Sequence, residues 1–172
     1  IVTRNLEPIY DNATAIRAFA IVRERIPGAR MTIAGEGPSR ASLEQLAREL
    51  GASDAVTFCG RVANTDIPAL YASADVCLNA SLADNMPISV LEALASGVPV
   101  VSTRVGGVPH LVEHERTALL VDPGDPQAMA EAALRVLGDA PLRARLKAAG
   151  LEAVRRFDWA SVKPKLLAVY ET

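Results

Sequence analysis

Short apolar runs alternate with longer amphipathic stretches from one end of the chain to the other. Residues 1–3 read as the end of a buried strand, and 31–34, 55–59, 75–79, 99–102 and 118–121 as further strands. Helical spacing predicts helices over 13–26, 39–50 and 67–72, and a short helical piece near 109–112. Helices over 126–137, 141–157 and 159–170 complete the pattern, the last holding Pro164, which should kink it or end its first turn. Glycines punctuate these elements: Gly51 ends the second helix and Gly60 stops the third strand. The strands are continuously apolar rather than alternating, which implies burial on both faces. The expected class is therefore α/β, a parallel sheet flanked by helices.

One stretch, 79–102, organises the rest. It reads as strand end, polar loop, helix, glycine stop and buried strand. Asn85 is placed to cap the helix, and Pro87 falls in its first turn, where a missing N–H costs nothing. Ile88, Leu91, Leu94 and Ala95 recur at helical spacing and predict its buried face. Gly97 suits a left-handed stop, with Pro99 just beyond. Glu92 breaks this pattern. Helical side chains lean toward the N-terminus, so Glu92 should point back toward the loop that carries Asp84. Two carboxylates would then flank a helix N-terminus suited to a phosphate. A solvated Glu on an exposed face is the competing reading.

Ligands of open parallel sheets bind beyond the carboxyl ends of the strands. Arg4, Gly35-Glu36-Gly37, Gly60-Arg61, residues 81–85 and residues 103–107 all fall there. The glycines would let a ligand approach the backbone, and Arg4 and Arg61 would meet phosphate. The paired acids would accept hydroxyl protons from a diol such as a ribose or hexose. Singly, each signal is weak: Gly35 and Gly37 suit an ordinary loop, and Gly106-Gly107 suits a plain turn. Met86 reads as packing, with a backbone N–H free to face a ligand. His110 and His114, read onto a short surface helix, are taken as structural. Asp54, Asp66 and Asp75 are taken as cap and turn residues.

At 172 residues, half of them apolar, the chain is long enough for one domain spanning 1–172 with a full core. A formal net charge of -2 without a block of like charges argues against nucleic acid as a partner. Cys59 and Cys77 lie in apolar runs without metal-ligand spacing. Buried reduced thiols and a cytoplasmic location follow. No apolar run approaches the about 20 residues of a membrane span, and no signal peptide is visible. The opening Ile1-Val2-Thr3-Arg4 reads as though mid-strand, which suggests the second half of a longer chain.

The run Asp84-Asn-Met-Pro-Ile-Ser-Val-Leu-Glu92, continuing to Ser102, resembles the signature of the group 1, retaining glycosyltransferases of GT-B fold. Their paired acids are spaced E-x(7)-E. Supporting matches run the whole length: the Arg4 loop, Ala34-Gly-Glu-Gly-Pro38, Phe58-x-Gly60, and Leu70-Tyr-Ala-Ser-Ala-Asp75. Gly106-Gly-Val-Pro109, Leu119-Leu-Val-x-Pro-Gly-Asp125 and Arg156-Phe-x-Trp159 continue the series. The resemblance covers the C-terminal, donor-binding half of such enzymes, a Rossmann-like domain, and implies an acceptor domain on the N-terminal side.

The resemblance implies that Glu92 holds the ribose hydroxyls of a nucleotide-diphosphate sugar and Asp84 contacts the sugar. Backbone groups of Asn85, Met86 and Pro87, with Val90 and Leu91 nearby, would line the sugar and diphosphate. Gly35, Gly37 and Gly60 would border the donor, and Arg61 and Val62 the base. Arg4 would neutralise the leaving diphosphate, since the family works without a metal or other cofactor. The acceptor, a sugar, lipid or glycan, would come through the other domain. Polysaccharide or glycolipid assembly follows by analogy, with peripheral contact to an inner membrane face compatible but not encoded. An exposed apolar patch should mark the docking face, and the final helix should cross back to the partner domain.

Two departures stand out. The first acid is Asp84 instead of Glu, one methylene shorter. Where the family usually places a Lys after the first Arg, Tyr10 or its neighbours stand here. Compensation by Arg61 or by the other domain is the expectation. A binding module without catalysis and a GT-B-fold epimerase are the alternatives. A phosphorylase would need a pyridoxal phosphate lysine, yet Lys147, Lys163 and Lys165 all lie in the C-terminal helices.

Overall fold

The structure, a computed structural model, describes residues 1–170, so the last two residues of the 1–172 span lie outside the described residues. In chain order it runs β1 (Val2–Thr3), α1 (Asn12–Arg25), β2 (Met31–Ala34), α2 (Arg40–Glu49), β3 (Val56–Gly60) and α3 (Ile67–Ala72). It continues through β4 (Cys77–Asn79), α4 (Ile88–Ala95), β5 (Val100–Thr103), α5 (Val108–Leu111) and β6 (Leu119–Val121). The helices α6 (Pro126–Gly138), α7 (Ala140–Val154) and α8 (Trp159–Tyr170) close the chain, and α8 runs through Pro164 instead of ending before it.

All strand pairs are parallel, in two three-stranded sheets ordered β1-β2-β3 and β4-β5-β6. The Leu78 N–H donates to the Ile1 carbonyl at 2.9 Å and joins the sheets at a β1/β4 seam. Read across, the strands run 3-2-1-4-5-6, and the order reverses at that seam, where ligands of doubly wound sheets bind.

Neighbouring strand residues feed opposite layers, as burial on both faces requires. Val2, Leu78, Val101 and Leu119 join one core with residues of α1, α2, α6 and α7. Ile1, Cys77, Val100 and Leu120 join the other, with Tyr71 of α3, Val90 and Leu94 of α4, and α5. Burying such side chains contributes roughly 1.5–3 kcal/mol each, so the layers hold the strand ends in place.

Three expectations are corrected. Within α4 the buried positions are Ser89, Val90, Leu91, Ala93 and Leu94, whereas Ile88 is 55% exposed and Ala95 is exposed. An almost wholly apolar helix has no polar face to orient it, so the periodicity picked the wrong stripe. Cys59 is exposed: β3 is the sheet's edge strand and alternates buried with open positions. His114 lies beyond α5, where its Nδ1 accepts from the Leu120 N–H at 2.9 Å.

Burial pushes the Cys77 thiol up to about 11, so at neutral pH it is protonated and shielded. One thiol, Cys59, should therefore react with iodoacetamide in the native protein and both after denaturation. Equally fast native labelling of both would contradict the packing of β4.

Candidate functional site

Arg4 follows β1 directly, at the seam where the strand order reverses. Its guanidinium pairs with the Asp84 carboxylate, and the two side chains are only 12% and 11% exposed. The Tyr10 ring lies against the same guanidinium, 3.9 Å from centroid to Cζ. Arg4 Nε is buried without a hydrogen-bond partner. A planar cation held between a carboxylate and an aromatic face has little freedom to turn.

Polar groups at the ends of β4 and β5 support Asp84. Ser81 Oγ donates to Asn79 Oδ1 at 3.1 Å and, at 3.5 Å, reaches Asp84 Oδ2. The Asn79 amide donates to Ser102 Oγ at 2.9 Å, and Thr103 Oγ1 to the Ser81 carbonyl at 2.6 Å. These buried bonds turn the chain out of β4 along one fixed path.

The glycines serve the loops first. A Cβ on Gly35 would lie 2.1 Å from the Arg4 carbonyl oxygen, and one on Gly37 2.6 Å from that of Leu6. Residues 35–37 therefore press on the loop after β1, where the Leu6 N–H donates to the Glu36 carbonyl at 2.8 Å. The loop's far side is tied to residues 81–85 by the Leu82 N–H to Ile9 carbonyl bond at 2.8 Å. Gly106-Gly107 is more than a plain turn. Its added Cβ atoms would lie 2.1 Å from the Asp84 oxygen and 1.9 Å from the Asn85 oxygen, and Gly107 N–H donates to the Asp84 carbonyl at 2.9 Å.

Gly107→Ala should therefore cost about 2 kcal/mol, a typical penalty for forced overpacking, read by chemical denaturation. Gly138→Ala, with nothing within 4 Å of its added Cβ, is the control and should stay within about 0.5 kcal/mol. Equal stability of the two variants would contradict this seat for the 84–85 loop.

That seat corrects the expected cap. Pro87 occupies the N-cap position of α4, and no side chain caps the helix. Asn85 is held two residues earlier by the Gly106-Gly107 contact, too far back to reach the first turn. Val90 and Leu91 are buried, and their N–H groups bond to the Pro87 carbonyl at 3.0 and 3.5 Å. Their side chains serve the core. Glu92, one turn in from the start of α4, accepts from the Tyr71 hydroxyl at 3.3 Å.

A cleft of about 620 Å³ opens over these strand ends, within the size of ligand pockets. Of the expected residues it gathers Arg4, Gly35, Gly37, Arg61, Val62 and Glu92. Glu36, at an expected strand end, lines it too, as do Thr3, Asn5, Asn64 and Ile67, which no sequence signal marks for this role. Asp84, Asn85, Met86, Pro87 and Gly60 lie outside its lining. Asp84 touches it through Arg4, and Gly60 through the bond its carbonyl accepts from Gly35 N–H at 2.8 Å. A smaller hollow near Met31 and Asp75 sits at the opposite strand ends, away from both Arg4 and Glu92.

A profile of the family described as Glycosyl transferases group 1 matches residues 4–139. The chain belongs to this family. It is 36% identical over 169 residues to the GDP-mannose-dependent alpha-(1-6)-phosphatidylinositol monomannoside mannosyltransferase of Mycobacterium tuberculosis, covering 94% of this chain and 44% of that protein. The crystal structure of Anabaena HepE in complex with UDP-glucose superposes with a TM-score of 0.91 at 26% identity, over 99% of this chain and 47% of that one. The C-terminal domain of a group 1 glycosyltransferase from Francisella tularensis shares the fold at 24% identity, with a TM-score of 0.82 over 90% of this chain and 82% of that one. The chain thus has the fold of a GT-B C-terminal half and spans less than half the length of the mannosyltransferase. Such relatives favour neither an epimerase nor a binding-only module.

Within the group 1 pattern, Tyr10 now has a place. The side chain near the expected Lys site contributes no second cation; it stacks on the first. The tyrosine beside Glu92 was legible only within Leu70-Tyr-Ala-Ser-Ala-Asp75, a match to the family pattern that carries no role for it.

Proposed function

We propose that this chain is the donor-binding half of a retaining glycosyltransferase that uses a nucleotide-diphosphate sugar. The carrying observation is that Arg4, with a buried unpartnered Nε–H, and Glu92, whose carboxylate has a single protein hydrogen bond among the described residues, share one cleft. A cation with a free donor suits a diphosphate, and a carboxylate with free lone pairs suits vicinal hydroxyls. Glu92 then holds the ribose, Arg61 and Val62 border the base, and Gly35, Gly37 and Gly60 shape the wall beside it. Asp84 and the backbone of Asn85, Met86 and Pro87 meet the sugar and diphosphate beside the uncapped start of α4, with Val90 and Leu91 fixing that helix from the core.

In the transfer, the bond from the anomeric carbon to the diphosphate oxygen breaks, one to the acceptor hydroxyl oxygen forms, and that hydroxyl's proton passes to the departing diphosphate. Negative charge grows on the departing diphosphate, and Arg4 and the α4 amides stabilise it there. No metal or other cofactor is required for that charge balance.

The acceptor, a sugar, lipid or glycan, enters through a partner domain on the N-terminal side of residues 1–172. Ile9, Leu82, Met86 and Ile88, each 47–55% exposed beside the cleft, suit that docking face, as does the exposed apolar side of α8 around Trp159 and Tyr170. Polysaccharide or glycolipid assembly at the inner face of a cytoplasmic membrane fits this reading. No helix among the described residues is long and apolar enough to cross a membrane.

Saturation-transfer NMR of the chain with UDP-glucose and GDP-mannose tests the proposal. Transfer to the ribose and sugar protons of one donor is expected. No transfer from either would overturn it.

A further inference from the structure

Tyr71 is buried to 0% exposure, yet its hydroxyl lies where three elements meet. The phenol contacts Thr3 Oγ1 at the end of β1, donates to the Ser89 carbonyl of α4 at 2.9 Å, and reaches Glu92 Oε2 at 3.3 Å. Among the described residues it is the one hydrogen-bond partner of the Glu92 side chain. Thr3 and Glu92 both line the cleft.

A phenol has one proton. With Thr3 Oγ1–H donating to the phenol oxygen, that proton is shared between the Ser89 carbonyl and one carboxylate oxygen of Glu92. The second carboxylate oxygen is left for the cleft. A partly exposed carboxylate would otherwise sample several rotamers, and fixing it before a ligand arrives lowers the ordering cost of binding.

Resting on the donor reading above, we propose that Tyr71 is a positioning residue that orients Glu92 toward the ribose hydroxyls of the donor nucleotide. Thr3 and the Ser89 carbonyl fix the phenol, and the phenol fixes the acid. Burial raises the Tyr71 hydroxyl well above the ordinary phenol range, so the phenol stays a neutral donor wherever the protein is folded. The arrangement couples recognition of the ribose to the close approach of β1, α3 and α4.

The test compares three probes by calorimetry on wild type and Tyr71→Phe: a nucleoside diphosphate that binds the wild type, its 2′-deoxy counterpart, and pyrophosphate. Wild type should prefer the ribonucleotide by about tenfold, the range of one hydrogen bond to a charged group. In Tyr71→Phe the preference should fall to about threefold or less, with pyrophosphate affinity unchanged. A purely structural phenol would weaken all three probes alike, and that result would overturn the inference. So would an unchanged ribose preference in the variant. Should Tyr71→Phe not fold, Thr3→Val keeps the ring, removes the bond that fixes the phenol, and should lower the same ratio; an unchanged ratio there would equally overturn the inference. A wild type that binds none of the nucleotides would instead overturn the donor reading itself, and this inference with it.

Discussion

Arg4→Ala is expected to weaken nucleoside-diphosphate binding about a hundredfold while leaving monophosphate binding within about threefold. The loss is specific because the guanidinium is the cation that lines the cleft at the β1/β4 seam, with its Nε–H buried and unpartnered. Tyr10 and Asp84 hold its plane, and Arg61, the other cation lining the cleft, borders the base in this reading. The same change strands a carboxylate that is 11% exposed. Stability should fall by about 3 kcal/mol, as expected when one partner of a largely buried pair is removed. The double variant Arg4→Ala/Asp84→Ala separates the two effects. It should regain most of the stability, read by denaturant unfolding, and none of the diphosphate affinity. Recovery of affinity in the double variant would show that Arg4 serves only to neutralise Asp84.

Glu92→Ala should reduce turnover at least a hundredfold in a protein that joins this chain to an acceptor-binding domain. Fold stability should change little, because the side chain is only partly buried and makes one long hydrogen bond at 3.3 Å. The cost lies in the donor's position. Without an anchor on its ribose, the anomeric carbon is no longer held against the acceptor, and misplacement of about 1 Å is enough for a loss of this size. Steady-state kinetics with a saturating acceptor checks it. Turnover within about fivefold of wild type would remove the role given to Glu92.

Much of the fold was legible because buried parallel strands are short, apolar and bounded by glycine or polar residues. The bounds of β2 and α3 match the sequence reading residue for residue. Less legible were features that depend on which neighbour a surface meets. Cys59 sits in a run as apolar as that of Cys77, and only its place on an edge strand exposes it. In α4, apolar side chains on nearly every side leave no stripe to choose, so helical spacing points to Ile88 and Ala95 where the fold buries Val90 and Ala93.

The candidate site shows the same divide. Arg4 and Arg61 were identifiable as cations at strand ends, where a parallel sheet places its ligands, and Glu92 as the carboxylate that breaks the apolar pattern of α4. Their partners were not. The Arg4–Asp84 pair spans 80 positions of sequence and the Tyr71–Glu92 bond spans 21, and no local pattern encodes either. The glycines read as room for a ligand turn out to make room for other loops. Gly35 and Gly37 admit the backbone after β1, and Gly106 and Gly107 admit residues 84 and 85.

The most direct test of the donor site is calorimetric titration of the chain with UDP, GDP, ADP and their monophosphates, repeated on Glu92→Ala. The account predicts that one diphosphate binds, that its monophosphate binds at least tenfold more weakly, and that Glu92→Ala abolishes most of the affinity. No binding by any nucleotide, or equal affinity for wild type and Glu92→Ala, would contradict it.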